Sequence, residues 1–438
     1  MDLADKLREY FAVQEKNQGL PVQGQDSISK QLERLRAIQE GKRSGPGLQR
    51  SEVEHQDLEG EILSNSDGSF LYSCKKVCCP GEEERSFVSS SLAGLTSLLE
   101  LLYGKRLDLV PNQIFFLDTE TTGLSGGTGT YAFLVGIGHW EKQEFLVEQY
   151  FMRDYHEEGA MLRALGDHLS QAQYVITFNG KTFDLPILES RFVLSRLHWP
   201  LNSGSHLDIL HPARRIWRLR LRDCSLSNLE REILGVYREN DVPGQLIPML
   251  YFNYIRTGVP RGIRGVLEHN RQDIASLAAL AQRVSRLLTG LSEVTAQPGE
   301  DLLSAGKYCR DLGQRQKSLE FNRAALETGL TGELRLQAMD RLAASFKSEG
   351  LHSQAVALWE QALRESVVFR EESGRNLAIH YEHRERDFAK ALELTERALE
   401  GLVQMDCRTQ ISEWIYRRKR LLRKTGSEAG ALTVEESS

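Results

Sequence analysis

The chain has 438 residues, with 55 Lys and Arg against 61 Asp and Glu, and 40% of its residues are hydrophobic. That length supports two or three domains with cores that need no staples, and the mild acidity excludes a global polycation as the basis of any nucleic-acid contact. The first residues show no basic stretch followed by an apolar one, and no apolar run reaches membrane-spanning length, so a soluble, cytoplasmic protein with no membrane partner is expected.

Residues 1–60 are polar and rich in Gln, Gly and Ser, which predicts a mobile segment. Residues 61–110 read as short strands followed by a helix over Leu92 to Leu102, packing on the core. Cys74, Cys78 and Cys79 cluster there without a second Cys pair or a nearby His pair, so free thiols are expected rather than structural zinc.

Between 111 and 290 strands alternate with helices. Strands are predicted at 113–118, 130–138, 144–151 and 173–178, and helices at 156–170, from Phe183, and at 266–288. The second and third strands follow the first with no intervening helix, which predicts antiparallel pairing. The expected fold class is α/β, a mixed sheet of about five strands flanked by helices, followed by an all-α helical-repeat domain.

From 300 to 425 the pattern becomes paired amphipathic helices. Ser318, Ala355 and Ala391 lie 37 and 36 residues apart, and each is followed by an Ala-Leu pair, Ala325-Leu326, Ala362-Leu363 and Ala398-Leu399. This spacing of small residues resembles the tetratricopeptide repeat, and such arrays present surfaces that suit a protein partner. A basic helix over Tyr416 to Lys424 follows, and the acidic, Ser-rich tail 426–438 is expected to be disordered.

The chemistry concentrates in three segments. The apolar run Ile114 to Leu117 ends in Asp118-Thr119-Glu120, and strand alternation puts Asp118 and Glu120 on one face. Two acids at the end of a buried strand repel each other, a conflict that a hard divalent cation resolves. Asp184 lies just after the strand ending at Phe178, where it can cap a helix or serve as a ligand. Asn179 can be a turn residue, or can position a phosphate or a metal-bound water. On the last helix, His269 and Asp273 are four residues apart and share one face.

In their order, these segments resemble the DEDD 3′–5′ exonucleases of the ribonuclease-H-like superfamily. The run through Thr122-Gly123-Leu124 is close to that family's first motif, and the resemblance covers roughly residues 110 to 290. Within the superfamily, Asn179-Gly180-Lys181-Thr182-Phe183-Asp184-Leu185-Pro186 and the helical repeats look most like the YprB-type predicted nucleases. One departure is that His269 stands at the spacing the family usually gives to a Tyr.

The resemblance implies two Mg²⁺ or Mn²⁺ ions on Asp118, Glu120, Asp184 and Asp273. Asp118 would touch both, Glu120 and Asp273 would hold the ion carrying the nucleophilic water, and Asp184 would support the second. His269 would orient or deprotonate the water. Thr122, Gly123 and Leu124 would meet the terminal nucleotide. The loop Ser125 to Thr130 can approach a phosphate or simply form a hairpin turn. Arg214, Arg215 and Arg218 around Trp217, with Arg220 and Arg222, suit a single strand of nucleic acid, although a solvated helix face has the same composition.

The expected function is metal-dependent phosphodiester hydrolysis from a 3′ end of single-stranded nucleic acid. The alternatives are a structure-selective endonuclease on the same fold, or a catalytically weak nucleic-acid-binding adaptor. The choice of DNA or RNA depends on contacts to a 2′-hydroxyl that no motif here reveals.

Overall fold

The computed structural model describes residues 58–80, 87–104, 108–123, 129–202, 204–239, 241–289, 297–404 and 408–425. The expected N-terminal segment, the tail and Leu124 lie outside the described residues. These fall into two compact units: residues up to Arg214 with Asp223–Ser285, and Arg215–Arg222 with residues from Arg286 onward. Among the described residues, no helix is long and apolar enough to cross a membrane.

The first unit is built on one mixed sheet. Its strands are β1 (Glu61–Asn65), β2 (Gly68–Lys76), β3 (Ile114–Thr121), β4 (Ala132–Glu141), β5 (Glu144–Phe151), β6 (Tyr174–Thr177) and β7 (His206–Asp208). They lie in the order β1-β2-β5-β4-β3-β6-β7. The meander β3–β4–β5 is antiparallel as expected, while β6 pairs parallel to β3 and to β7. The sheet has seven strands rather than five. The β1–β2 hairpin adds two by pairing β2 antiparallel with β5, and so covers an edge that would otherwise offer unpaired amides.

The first helices in chain order are α1 (Phe87–Tyr103), α2 (Glu158–Leu169), α3 (Asp184–Leu194) and α4 (Leu210–Leu221). A short helix α5 (Leu226–Leu229) runs into a π-helical turn, Glu230–Leu234, and α6 (Ile247–Thr257) precedes the long α7 (Arg261–Thr289).

Successive side chains alternate across the sheet. Phe115, Leu117, Phe133, Val135 and Ile137 join Leu162, Leu165 and Leu169 of α2 in the core on one face. The other face receives α7. Gly136 and Gly138 of β4 make that close approach possible, because a Cβ would lie 2.2 Å from Ile274 Cδ1 at Gly136 and 2.4 Å from Ile274 Cγ2 at Gly138.

The second unit is helical: α8 (Gly299–Asp311), α9 (Arg315–Glu327), α10 (Gly332–Ser348), α11 (His352–Glu365), α12 (Glu371–His380), α13 (Phe388–Gln404) and α14 (Arg408–Thr425). The residues that set the sequence period fall on α9, α11 and α13, and Ser318, Ala355 and Ala391 are all buried. Small side chains there let neighbouring helices come close. Trp217 of α4 is also buried in this unit, and Arg220 makes a bidentate pair with the buried Asp301.

Candidate active site

Asp118 and Glu120 lie on the β3 face turned to α7, where Asp118 is registered against Gly136. The space left by that glycine is filled by Asn270 of α7. Asn270 Nδ2 donates to Asp118 Oδ2 at 2.8 Å, and its Oδ1 accepts from Gln149 Nε2 at 2.9 Å. Gln149 is buried and also donates to the Leu267 carbonyl at 2.7 Å, so one polar chain ties β5 and α7 to β3. One turn along α7, Asp273 reaches the same region.

Asp184 comes from the start of α3. The residue before it, Phe183, occupies the cap position and makes no side-chain capping bond. The Asp184 carboxylate instead turns to the sheet, where it accepts from the Thr119 hydroxyl and from backbone amides. The β6–α3 turn is held by Asp208, whose carboxylate accepts from the amides of Asn179 (2.8 Å), Lys181 (3.1 Å) and Leu210 (3.0 Å).

These carboxyls share one electrostatic problem. Burial, then the charges of Asp273 and Asp184, push Asp118 well above the usual carboxylate range. Glu120 rises for the same reasons, with burial first and Asp118, Asp273 and Asp184 following. Burial raises Asp184 to about 6, against the lowering effect of its hydrogen bonds from Thr119. Like charges in a low-dielectric site give this pattern.

A second ring of charge surrounds Asp273 and His269. Arg238 pairs through Nη2 with Asp273 and Glu230, and through Nη1 with Asp241 at 3.2 Å. His269 Nδ1 lies 2.7 Å from Asp241 Oδ1, which turns Nε2 toward Asp273 Oδ2 (3.6 Å) and Glu120 Oε1 (4.0 Å). Burial would lower the imidazole pKa, but the Asp241 hydrogen bond and the Asp273 and Asp241 charges outweigh it and raise it. The structure therefore brings Asp118, Glu120, Asp184, His269 and Asp273 into one cluster.

The expected nucleic-acid contacts are placed less uniformly. The Thr122 hydroxyl accepts from the Tyr131 amide at 2.9 Å, and the Gly123 carbonyl accepts from Thr121 Oγ1 at 2.8 Å. Asn179 takes the turn role: its φ is 66°, and its side-chain oxygen accepts from Thr182 Oγ1 at 3.0 Å. Trp217 is a correction. At 2% exposure its ring is core and is closed to a base. Arg215 is exposed and pairs with Asp311 at 2.8 Å, while Arg214 and Arg218 are exposed on α4.

Asn270, Arg238, Asp241 and Glu230 are the residues that sequence reasoning missed. Asn270 carried a signal, since it lies three residues before Asp273 on the same helix. Arg238 and Asp241 sit between regular elements, where no periodicity marks a face.

Four carboxylates offer only hard oxygen donors, and their burial and mutual repulsion are what a divalent cation relieves, so the donor set fits Mg²⁺ or Mn²⁺.

A family model described as RNase_H superfamily matches residues 115–285. The chain is also 33% identical over 293 residues to a Bacillus subtilis (strain 168) protein named Uncharacterized protein YprB, a match covering 66% of this chain and 69% of that one.

Proposed function

This chain belongs to the RNase H superfamily, in one family with YprB, and on that premise we propose that it is a metal-dependent nuclease, a DEDD-type exonuclease that removes nucleotides from the 3′ end of single-stranded nucleic acid. The observation that carries the reading is the meeting of Asp118, Glu120, Asp184 and Asp273, drawn from three separate elements, with the first three all pushed up by burial, and Asp118 and Glu120 pushed further by the charges of neighbouring acids. A fold does not assemble such a costly set for stability.

Asp118, Glu120, Asp184 and Asp273 would hold two Mg²⁺ or Mn²⁺ ions, which when bound supply charge neutralisation at the phosphate and an acidified water. Asn270 fixes the rotamer of Asp118 through its 2.8 Å bond. Thr119 does the same for Asp184. Asp241 holds His269 Nδ1, which leaves Nε2 turned to the acids, where it can orient a water or take its proton. Arg238 balances Asp273 and keeps it from swinging away. The helical hairpins of the second unit would serve a protein partner.

The test is degradation of 5′-labelled DNA and RNA, single- and double-stranded, with Mg²⁺ or Mn²⁺ and with Asp118→Asn as control. Stepwise shortening from the 3′ end, lost in the variant, is expected. Cleavage of a covalently closed circle would refute the exonuclease reading, and undiminished turnover by Asp118→Asn would refute the site.

A further inference from the structure

The opposite face of the same sheet carries a second cluster of ligating side chains. Gln149 points to α7, so its neighbour Glu148 points to α2. His139 likewise alternates with Gly138, whose α-carbon meets α7. His168 comes from the last turn of α2. Phe115 packs its ring edge-on against both imidazoles, with centroids 5.8 Å from His139 and 4.6 Å from His168.

One ligating atom from each of His139, Glu148 and His168 lies within 4.8 Å of the others. His139 Nδ1 is 3.7 Å from Glu148 Oε1, and His168 Nδ1 is 3.4 Å from Glu148 Oε2. Tetrahedral coordination with bonds of about 2.0 Å places neighbouring ligand atoms roughly 3.3 Å apart, so little movement is needed. His139 is 7% exposed, and its buried Nδ1 has no hydrogen-bond partner, an unusual state for an imidazole nitrogen in a core. The Tyr150 hydroxyl lies 2.8 Å from His168 Nδ1 and 3.1 Å from Glu148 Oε2.

We propose that His139, Glu148 and His168 form a second metal site, for Zn²⁺, separate from the carboxylate cluster and joining β4, β5 and α2. Two imidazoles and one carboxylate are a donor set for zinc, whereas Mg²⁺ prefers oxygen alone. A water would complete the four-coordination of a bound ion. Binding exchanges the Tyr150–His168 hydrogen bond for a nitrogen–metal bond and leaves Tyr150 on Glu148, as an outer partner that orients the ligand. The site is structural in this reading and does not depend on nuclease activity.

The experiment uses the full chain carrying Asp118→Asn, freed of metal with a chelator and titrated with Co²⁺. Visible ligand-field bands of tetrahedral strength should grow to one equivalent, resist millimolar Mg²⁺ and vanish on adding Zn²⁺. Zn²⁺ alone should also raise the melting temperature. His168→Gln, at a partly exposed position, should lose both effects while keeping its circular dichroism, and Tyr150→Phe, which retains all three ligands, should keep both. The proposal is overturned if the parent shows no such bands, if they persist in His168→Gln, or if Tyr150→Phe abolishes them.

Discussion

Asn270 Nδ2 lies 2.8 Å from Asp118 Oδ2, while the same amide accepts from Gln149 at 2.9 Å. Asn270 is fully buried, so it joins β3 to α7 by a direct bond inside the core. Asn270→Ala should destabilise the protein by about 1–3 kcal/mol, the usual cost of leaving a buried polar partner unsatisfied. Turnover should fall further than the lost stability explains, since Asp118 is freed to rotate. Thermal unfolding and single-turnover rates at the same temperature check both parts.

Gly136 sets how closely α7 approaches. Gly136→Ala would place a Cβ 2.2 Å from Ile274 Cδ1 and 2.3 Å from Asn270 Oδ1. The helix must shift, at a cost of about 1–3 kcal/mol for overpacking. Gly129→Ala, with open space around it, is the control and should be neutral. Equal denaturation midpoints for the two variants would show that the approach is not tight.

Asp118→Asn should abolish metal-dependent turnover and yet stabilise the metal-free protein near neutral pH. A carboxyl whose folded pKa is raised loses stability as pH climbs above its unfolded value near 3.8, because folding then buries a charge and holds it beside Asp273 and Asp184. Removing that charge removes the loss. The gain in melting temperature should therefore be present at pH 7 and shrink as pH approaches the low end of the carboxylate range.

Asp241 raises the His269 pKa through a 2.7 Å bond. Asp241→Asn should move the acidic limb of the pH–rate profile to lower pH, since the imidazole then loses its proton more readily. The rate at the optimum should drop as well, about tenfold or more, if Nε2 is no longer held toward the acids. A limb that stays in place would remove His269 from the proton inventory.

Glu382, in the turn after α12, is enclosed by Arg417 at 3.0 Å, Arg420 at 2.6 Å and Lys424 at 2.9 Å. Burial pushes its pKa up, but Arg420 and Lys424 outweigh burial and hold it at about 2 instead of 4.5. Its contribution to stability is complete above pH 4.5 and disappears as pH falls toward 2. Glu382→Gln should destabilise the helical unit at pH 7, by about 3 kcal/mol if the three cations lose this buried counter-charge. Acid titration followed by circular dichroism should show the variant flatter across that window.

The limits of sequence reasoning are specific. The meander β3–β4–β5 and the long α7 were legible because alternation and helical periodicity repeat within each segment. The hairpin β1–β2 was visible as strands, but its pairing with β5 was not, since an edge strand carries no mark of its partner. Trp217 beside arginines suggested a stacking surface, and the structure buries it because the apolar positions of α4 face inward.

By itself the sequence determined which acids exist, in what order, and on what kind of element. Asp118 and Glu120 share a face because a strand repeats every two residues, and His269 and Asp273 share one because a helix nearly repeats every four. Tertiary structure alone decided that Arg238 and Asp241 surround the acids and that Trp217 is buried and closed to a stacked base. It also placed His139, Glu148 and His168 together across three elements. Such meetings depend on strand register and helix docking, which are settled by long-range packing and leave no local period to read.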